Sequence, residues 1–221
     1  MLSSVENEAW PKNIIYKTIN VLSRPNRNNV ISSLISSVDD LPEEINNAKE
    51  HALAIGRLEK VKGFDLLIKS WINIKTPLLI VGSGKEKESL VALIKELNLS
   101  NKISITNWVE QEELFKLYAQ SNVLIISSKS EGGPRVALEA LANNLPVLST
   151  DVGHMNLILP QEILAEPDNL ESLQSLMESY VDNITNLNQE SIFEFVKQEF
   201  SLAKQADKVM NVYLSVLNKD S

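Results

Sequence analysis

The chain of 221 residues has no cysteine and two histidines, His51 and His154. Without cysteine it can form neither a disulfide nor a thiolate metal site, and this composition fits a reducing compartment. Histidines this few and this far apart in sequence are not typical of a metal site or of a Ser-His-Asp arrangement. Asp39 and Asp40 are adjacent, so they form no Asp-x-Asp metal motif. We therefore expect a site that requires no metal ion.

The chain also lacks an excess of basic residues and any long apolar run. Its formal charge is −8, from 21 Lys and Arg against 29 Asp and Glu. This charge argues against a nucleic-acid binder, because such proteins normally carry a basic stripe. No apolar run approaches the roughly 18 residues of a membrane span, and residues 1–8 carry no basic and apolar leader. We expect a cytoplasmic protein, and peripheral association with the inner face of the cell membrane is compatible with the sequence.

From residue 51 onward, short apolar runs alternate with segments whose apolar residues recur at helical spacing. This alternation predicts an α/β fold, a Rossmann-like parallel sheet with helices on both faces. The predicted strands are His51–Ile55, Pro77–Val81, Ile103–Ile105, Val123–Ile126, Pro146–Leu148 and a weak strand at Ile163–Leu164, and the predicted helices are Phe64–Trp71, Leu90–Leu97, Glu112–Ala119, a run ending near Asn143, Leu170–Val181 and Leu202–Leu217.

Residues 1–49 differ in composition from the rest of the chain. Serine and asparagine are dense there, and Pro11, Pro25 and Pro42 interrupt the segment. A segment with so few apolar residues cannot form the hydrophobic core that an independent domain needs. We therefore predict that residues 1–49 stand apart from one α/β domain at residues 50–221.

Four predicted loops should meet at one edge of the sheet. In open parallel sheets, ligands bind outside the carboxyl ends of the strands. The segments that follow the predicted strands are Gly56-Arg57, Gly82-Ser83-Gly84, Asn107-Trp108 and 127–133. We expect the candidate chemistry to converge there.

Two carboxylates flank one of these loops. Glu131 precedes the turn Gly132-Gly133-Pro134, and Glu139 lies about two turns into the helix that follows. The turn exposes backbone N–H groups at a helix N-terminus, where the helix dipole favours anions. Amides for a diphosphate and carboxylates for hydroxyls suit a sugar nucleotide. The structural alternative is an ordinary loop acid and an ordinary helix acid.

Two cations flank the loop after the first predicted strand. Arg57 offers a planar fork of donors and Lys62 a point charge, and both types of side chain bind phosphate oxygens. Gly56 allows a tight turn at the end of the strand. The structural alternative is a solvated loop with two surface cations.

These segments together resemble a known family. The stretch from Ser130 to Ala140 resembles the Glu-x7-Glu motif of retaining GT-B glycosyltransferases, family 4 in particular. The segment Gly56–Gly63 resembles the Gly-Arg-Leu-x-x-x-Lys-Gly segment of that family. The run Pro146–Gly153 is similar to the continuation of its motif, although His154 stands where many relatives have a second glycine.

The resemblance implies a role for each matching residue. Arg57, Lys62 and Glu131 would be catalytic, the two cations holding the donor diphosphate and Glu131 contacting the donor sugar. Glu139 would bind the ribose hydroxyls. The complete set of donor-binding residues implied by the resemblance is Gly56, Arg57, Lys62, Gly82, Trp108, Val109, Glu131, Gly132, Gly133, Pro134, Arg135 and Glu139.

Three of these positions are open to another interpretation. Arg135 replaces a residue that is commonly smaller in the family. Gly82 belongs to a lone Gly-x-Gly, a weak signal that also fits a tight strand-to-helix turn. Trp108, with Val109, would lie against the nucleotide base, but it could equally be a core residue.

The resemblance covers roughly residues 51–217, the C-terminal, donor-binding half of a GT-B enzyme. No complete N-terminal acceptor domain is visible, so residues 1–49 are interpreted as a remnant of it and a linker, with 30–35 a degenerate linker motif. The expected substrate is a nucleoside-diphosphate sugar, with uridine diphosphate as the expected nucleotide and no cofactor. A separate subunit would then have to supply the acceptor-binding half, unless the chain is a truncated product.

Three hypotheses follow for the function. The first is a retaining hexosyl- or N-acetylhexosaminyltransferase of polysaccharide or glycolipid synthesis, active with its other half. The second is a nucleotide-sugar-binding pseudo-enzyme or regulatory subunit. The third is another doubly wound protein, such as a dinucleotide-dependent oxidoreductase or an isomerase of GT-B architecture.

Overall fold

The computed structural model describes residues 51–132 and 135–200, together with residues 204, 206, 207, 210 and 214. These residues divide into two units, of which the first runs to Val196 and the second begins at Lys197. The predicted domain boundary at residues 49–50, the linker motif at 30–35 and the residues Gly133 and Pro134 lie outside the described residues.

The first unit is built on a parallel sheet of six strands in the order β3-β2-β1-β4-β5-β6. The strands are β1 His51–Ile55, β2 Leu78–Val81, β3 Ile103–Thr106, β4 Ser121–Ile126, β5 Val147–Thr150 and β6 Leu164–Ala165. The strand order reverses between β1 and β4, which makes their junction the topological switch point of a doubly wound fold.

Helices cover both faces of this sheet. They are α1 Phe64–Ser70, α2 Lys87–Glu96, α3 Gln111–Gln120, α4 Arg135–Ala142, α5 Leu170–Tyr180 and α6 Glu190–Glu199, with 3₁₀ turns at Lys60–Lys62, Met155–Leu157, Gln161–Ile163 and Val181–Asn186. In the described part of the chain, none of the helices combines the length and apolarity that crossing a bilayer would require.

The central strands are apolar on both faces. All residues of β1 from Ala52 to Ile55 are buried, and so are all those of β4 from Val123 to Ile126. A continuous apolar run is the expected signature of a parallel strand that is covered by helices on both sides. This burial explains why the sequence identified these two strands so clearly.

The predicted strands and most predicted helices are confirmed, with boundaries that shift by a few residues. The helix α6 was missed, because its sequence Glu190–Glu199 is rich in polar residues and the helix buries just one residue, the apolar Val196. Of the predicted helix Leu202–Leu217, the described residues 204, 206, 207, 210 and 214 are helical, and the others lie outside the described part.

A buried glutamine, Gln189, completes the pairing of β5. Its side-chain amide accepts a hydrogen bond from Val147 N at 3.1 Å and donates one to Val147 O at 2.9 Å. Buried backbone groups require such partners. The sequence offered no sign of this residue, since its partner is 42 positions away.

The loops after β1 and β2 touch backbone to backbone. Leu58 N–H donates to Ser83 O at 3.0 Å, and Glu86 N–H donates to Leu58 O at 3.0 Å. A Cβ at Gly82 would lie 1.9 Å from the carbonyl oxygen of Gly56, and a Cβ at Gly84 would lie 2.4 Å from that of Leu58. Gly82 and Gly84 therefore allow these two loops to pack backbone against backbone, and the donor-binding role of Gly82 stays a prediction.

Gly82→Ala is expected to lower the free energy of unfolding by about 2–3 kcal/mol, because the new methyl group would overlap a backbone atom. Chemical denaturation followed by circular dichroism measures this loss. Gly132→Ala is the matched control, since a Cβ at Gly132 would have no neighbour within 4 Å. Equal stability of the two variants would contradict the prediction.

Candidate functional site

The loops that follow β1 and β4 meet at the switch point of the sheet. The first runs from Gly56 through the turn Lys60–Lys62 to Gly63, and the second begins at Ser127. Ser127 Oγ donates to Lys62 O at 2.9 Å, and Lys129 N–H donates to Val61 O at 2.8 Å. These hydrogen bonds join the two loops into one surface.

Gly63 permits this close contact. It has a left-handed φ of 64°, and a Cβ at this position would lie 2.0 Å from Ser127 O. It also begins α1, since its carbonyl accepts from Leu67 N at 3.0 Å. Gly63 ends the motif segment Gly56–Gly63, but its contact with the second loop is not visible in the sequence.

Lys62 and Glu131, both predicted to be catalytic, form an ion pair at this junction. Lys62 Nζ donates to Glu131 Oε1, and Ser128 Oγ donates to the same oxygen at 2.7 Å. The two charged side chains are 20% and 16% exposed. The pair is therefore shielded from bulk solvent and yet accessible to a ligand.

Glu139 lies on α4 and receives a hydrogen bond from the helix before β4. Tyr118 Oη donates to Glu139 Oε2 at 3.0 Å, and the tyrosine itself is 1% exposed. Burial raises the pKa of the Glu139 carboxyl, against the lowering effects of the Tyr118 hydrogen bond and the charge of Arg135. Burial and the neighbouring carboxylate hold the pKa of Tyr118 well above its usual range. Tyr118 therefore stays protonated and remains a donor.

The two arginines of the predicted site extend into solvent. Arg57 is 72% exposed along its side chain and pairs with Glu59 at 3.2 Å. Arg135 begins α4 and is also exposed. Arg57 thus shares a loop with Lys62 without joining its ion pair, and its predicted contact with a diphosphate stays a prediction.

The loops after β2 and β3 form the next part of the same edge. Trp108 N–H donates to Ser83 Oγ at 3.3 Å, and Lys87 Nζ donates to Asn107 Oδ1 at 2.6 Å. The Trp108 side chain is 56% exposed, so its interpretation as a core residue is wrong. Val109, its neighbour, is half-buried.

The loop after β5 approaches the Glu131 loop from the other side. Thr150 Oγ1 donates to Ser128 O at 2.7 Å, and His154 Nδ1 lies 3.2 Å from Gly132 O. Because a carbonyl oxygen only accepts, this contact requires a proton on Nδ1. Gly132 has open space beside its Cα, so His154 and Glu131 border a region that a ligand can enter.

Three polar residues of the site were missed in the sequence. Ser128 belongs to the predicted loop 127–133 and Thr150 to the motif run Pro146–Gly153, but nothing in their spacing identified their partners. Tyr118 belongs to the predicted helix Glu112–Ala119, and its side chain is buried. Its hydrogen bond to Glu139 spans 21 positions and is therefore not visible as a sequence pattern.

No metal centre accompanies these residues in the part of the chain that the structure describes, where no three His, Asp or Glu side chains are grouped to hold an ion.

A groove of about 520 Å³ lies between α1 and α2, lined by Phe64, Asp65, Leu90, Leu93 and others. Glu131 and Glu139 do not line this groove. The candidate site is instead the open carboxyl edge above β1 and β4.

This arrangement is suited to binding an anion that also carries hydroxyl groups. Lys62 can exchange its carboxylate partner for phosphate oxygens, since an ammonium binds both as a point charge. Glu131 and Glu139 are carboxylates that can accept hydrogen bonds from hydroxyl donors. Binding of a sugar nucleotide at this edge stays a prediction from the sequence.

Comparison with known proteins places these features in a family. The family model described as glycosyl transferases group 1 matches residues 38–191. An uncharacterized glycosyltransferase of Haemophilus influenzae is 29% identical over 192 residues, which cover 82% of this chain and 51% of that protein. A Campylobacter jejuni N-acetylgalactosamine-N,N'-diacetylbacillosaminyl-diphospho-undecaprenol 4-alpha-N-acetylgalactosaminyltransferase is 35% identical over 137 residues, which cover 59% of this chain and 37% of that protein. The chain thus spans about half or less of the length of these relatives.

Solved structures show the same fold at low sequence identity. Sucrose-phosphate synthase from Thermosynechococcus elongatus matches with a TM-score of 0.68 and 22% identity, over 86% of this chain and 49% of that chain. The lipopolysaccharide outer core galactosyltransferase WaaB matches with a TM-score of 0.66 and 22% identity, over 79% and 51%. The partial coverage is consistent with the C-terminal half of a GT-B fold.

The family match spans well over half of the chain and includes both loops that meet at the switch point. Its boundaries enclose Lys62, Glu131 and Glu139, the three side chains whose contacts define the candidate site. The chain belongs to the glycosyl transferases group 1.

Proposed function

We propose that this chain is the donor-binding half of a retaining glycosyltransferase of family 4. It binds a nucleoside-diphosphate sugar, with a uridine nucleotide as the expected form, and transfers a hexose or N-acetylhexosamine. The observation that carries this proposal is the Lys62–Glu131 ion pair at the junction of the β1 and β4 loops. It puts a phosphate-binding cation beside a hydroxyl-binding carboxylate at the switch point, where ligands of doubly wound sheets bind.

Each charged group has a distinct task in the proposed reaction. Lys62 and Arg57 stabilise the negative charge that develops on the leaving diphosphate, which is where fixed cations lower a transfer barrier most. Glu131 holds the donor sugar through its hydroxyl groups. Glu139 accepts hydrogen bonds from the ribose. The diphosphate is neutralised by side chains and the α4 N-terminus, so the proposed reaction requires no metal.

The acceptor is proposed to bind between this edge and a second wall. Three exposed apolar side chains, Val61, Trp108 and Leu157, lie in segments that follow β1, β3 and β5. All three segments are at the carboxyl edge of the sheet, where they would be covered by a facing domain. The matched segments make up 51% and 37% of two relatives, so both relatives are longer than this chain and have room for such a domain. A separate subunit or another part of a longer chain would supply it.

The names of relatives support an acceptor of the glycolipid or polysaccharide class. The Campylobacter relative acts on a diphospho-undecaprenol substrate. Other matches are an amylovoran biosynthesis glycosyltransferase of Erwinia amylovora and a phosphatidylinositol N-acetylglucosaminyltransferase subunit of Schizosaccharomyces pombe. We infer that the acceptor of this protein belongs to the same class and that the protein works in the cytoplasm, at the membrane face.

A second candidate is a nucleotide-sugar-binding protein without transfer activity. The pairing of Arg57 with Glu59 in solvent favours it, because this cation is then held away from the diphosphate position. Both candidates predict nucleotide binding. Turnover of a donor sugar once an acceptor-binding half is supplied separates them.

Calorimetric titration with UDP, GDP and NAD, in EDTA and then in magnesium, tests the proposal. We expect one nucleoside diphosphate to bind without magnesium and NAD not to bind. Lys62→Met should weaken this binding by about tenfold, because it removes a charge-assisted contact to phosphate. Lys95→Met, on the exposed end of α2, is the matched control. A folded wild-type chain that binds neither UDP nor GDP would overturn the proposal.

Glu131→Gln is expected to have the opposite effect on nucleotide affinity. Loss of the carboxylate frees Lys62 from its partner, and binding of the bare nucleoside diphosphate should tighten roughly threefold, as for a partly exposed ion pair. Transfer of the sugar should fall at the same time. The measurement is a paired titration with the nucleoside diphosphate and its sugar conjugate. Weaker binding of the bare nucleotide would place Glu131 at the nucleotide instead of at the sugar.

Glu139→Gln is expected to lose nucleotide affinity without losing stability. Because burial raises the pKa of Glu139 above its ordinary 4.5, the folded chain binds this proton more tightly than the unfolded chain. The wild-type stability therefore falls as pH rises through that raised pKa, whereas the amide carries no charge to desolvate. The difference in melting temperature, variant minus wild type, should therefore increase as the pH is raised from acid to neutral.

The control for this variant is Glu96→Gln, which neutralises an exposed carboxylate at the end of α2. Its melting temperature relative to wild type should not vary with pH in this way. A Glu139→Gln variant that is less stable than wild type at neutral pH would contradict the assignment of a functional, destabilising carboxylate.

A further inference from the structure

The hydrogen bond between Tyr118 and Glu139 links two helices that flank β4. Tyr118 lies near the end of α3, directly before the strand, and Glu139 lies on α4, directly after it. The tyrosine is buried at 1% exposure, and its Oη donates to Glu139 Oε2 at 3.0 Å. A buried phenol requires an acceptor, and here the acceptor is a carboxylate of the candidate site.

The two carboxylate oxygens of Glu139 have different surroundings. Oε2 is held by Tyr118, while Oε1 has no hydrogen bond to any of the residues that the structure describes. A single bond to one oxygen limits rotation of the carboxylate about its last torsion, which is otherwise broad. The hydrogen bond therefore fixes the orientation of the carboxylate and leaves its second oxygen available to a ligand.

We propose that Tyr118 is a positioning residue that orients Glu139 toward the ribose hydroxyls of the donor and thereby sets the preference for ribose over deoxyribose. This inference rests on the proposed function, since it takes Glu139 as the ribose-binding group. A site built to accept hydrogen bonds from hydroxyls discriminates against a ligand that lacks one, because the acceptor is then unpaired. Discrimination requires an acceptor in a fixed position, and Tyr118 supplies that constraint.

The test compares Tyr118→Phe with wild type in the binding of UDP or GDP, whichever binds wild type more tightly, and of its 2′-deoxy counterpart. Loss of the hydroxyl should weaken binding of the ribonucleotide by about tenfold and leave the deoxynucleotide within about twofold. The ratio of the two dissociation constants should therefore shrink toward one. Tyr180→Phe, on α5, is the matched control and should leave this ratio unchanged.

A double variant shows whether Tyr118 acts through Glu139. Tyr118→Phe combined with Glu139→Gln should bind the ribonucleotide no more weakly than Glu139→Gln alone, because the tyrosine then has no carboxylate to orient. Additive losses, or an unchanged preference for ribose in a folded Tyr118→Phe variant, would overturn the inference alone. A wild-type chain that binds neither nucleotide, or that binds the ribose and deoxyribose forms equally, would overturn the proposed role of Glu139 together with it.

Discussion

The ion pair between Lys62 and Glu131 is the interaction on which the candidate site depends. Its partners are 69 positions apart in sequence, and they meet because β1 and β4 are adjacent parallel strands whose loops leave the sheet at the same edge. The loops are also joined by backbone and serine hydrogen bonds, so the pair occupies a surface that is already formed. The pair therefore holds a cation ready at the switch point while it shields that cation from water.

Burial of the Glu139 carboxylate in the candidate site lowers the stability of its charged form. Glu139 is held in a position that disfavours its charge, and the pKa of its carboxyl is raised as a result. Tyr118 offsets part of this cost by donating to one oxygen. Such locally unfavourable charges are expected at functional sites, since a stable fold elsewhere compensates for them. The apolar strands β1 and β4, buried over nearly their whole length, provide this stability.

How much the sequence predicted depends on the range of each interaction. Strands such as Val123–Ile126 were predicted correctly because burial on both faces leaves a continuous apolar run. The helix Glu190–Glu199 was missed because it buries so little apolar surface. Motif spacing indicated Lys62 and Glu131, but it carried no information that they contact each other. The hydrogen bonds of Tyr118 and Gln189 join residues that are far apart in sequence. Neither residue belongs to a recognisable motif, so these hydrogen bonds are visible in the structure alone.

Under the proposed function, the solvent exposure of the carboxyl edge affects how this donor-binding half would work together with a facing acceptor-binding domain, the second wall of the site. Two opposite unit charges about 4 Å apart attract each other with an energy of about 1 kcal/mol in water. The energy is about 4 kcal/mol at an effective dielectric constant of about 20. Lys62 and Glu131 are already shielded by the two joined loops, whereas Arg57 is exposed to solvent. A facing wall that excludes water would strengthen the contacts of both cations with a diphosphate, and it would draw Arg57 away from Glu59. Under the proposed function, a nucleotide would bind to the first wall, and stabilisation of a departing diphosphate would benefit from both walls. The different dielectric environments of Lys62 and Arg57 would then separate donor binding from transfer.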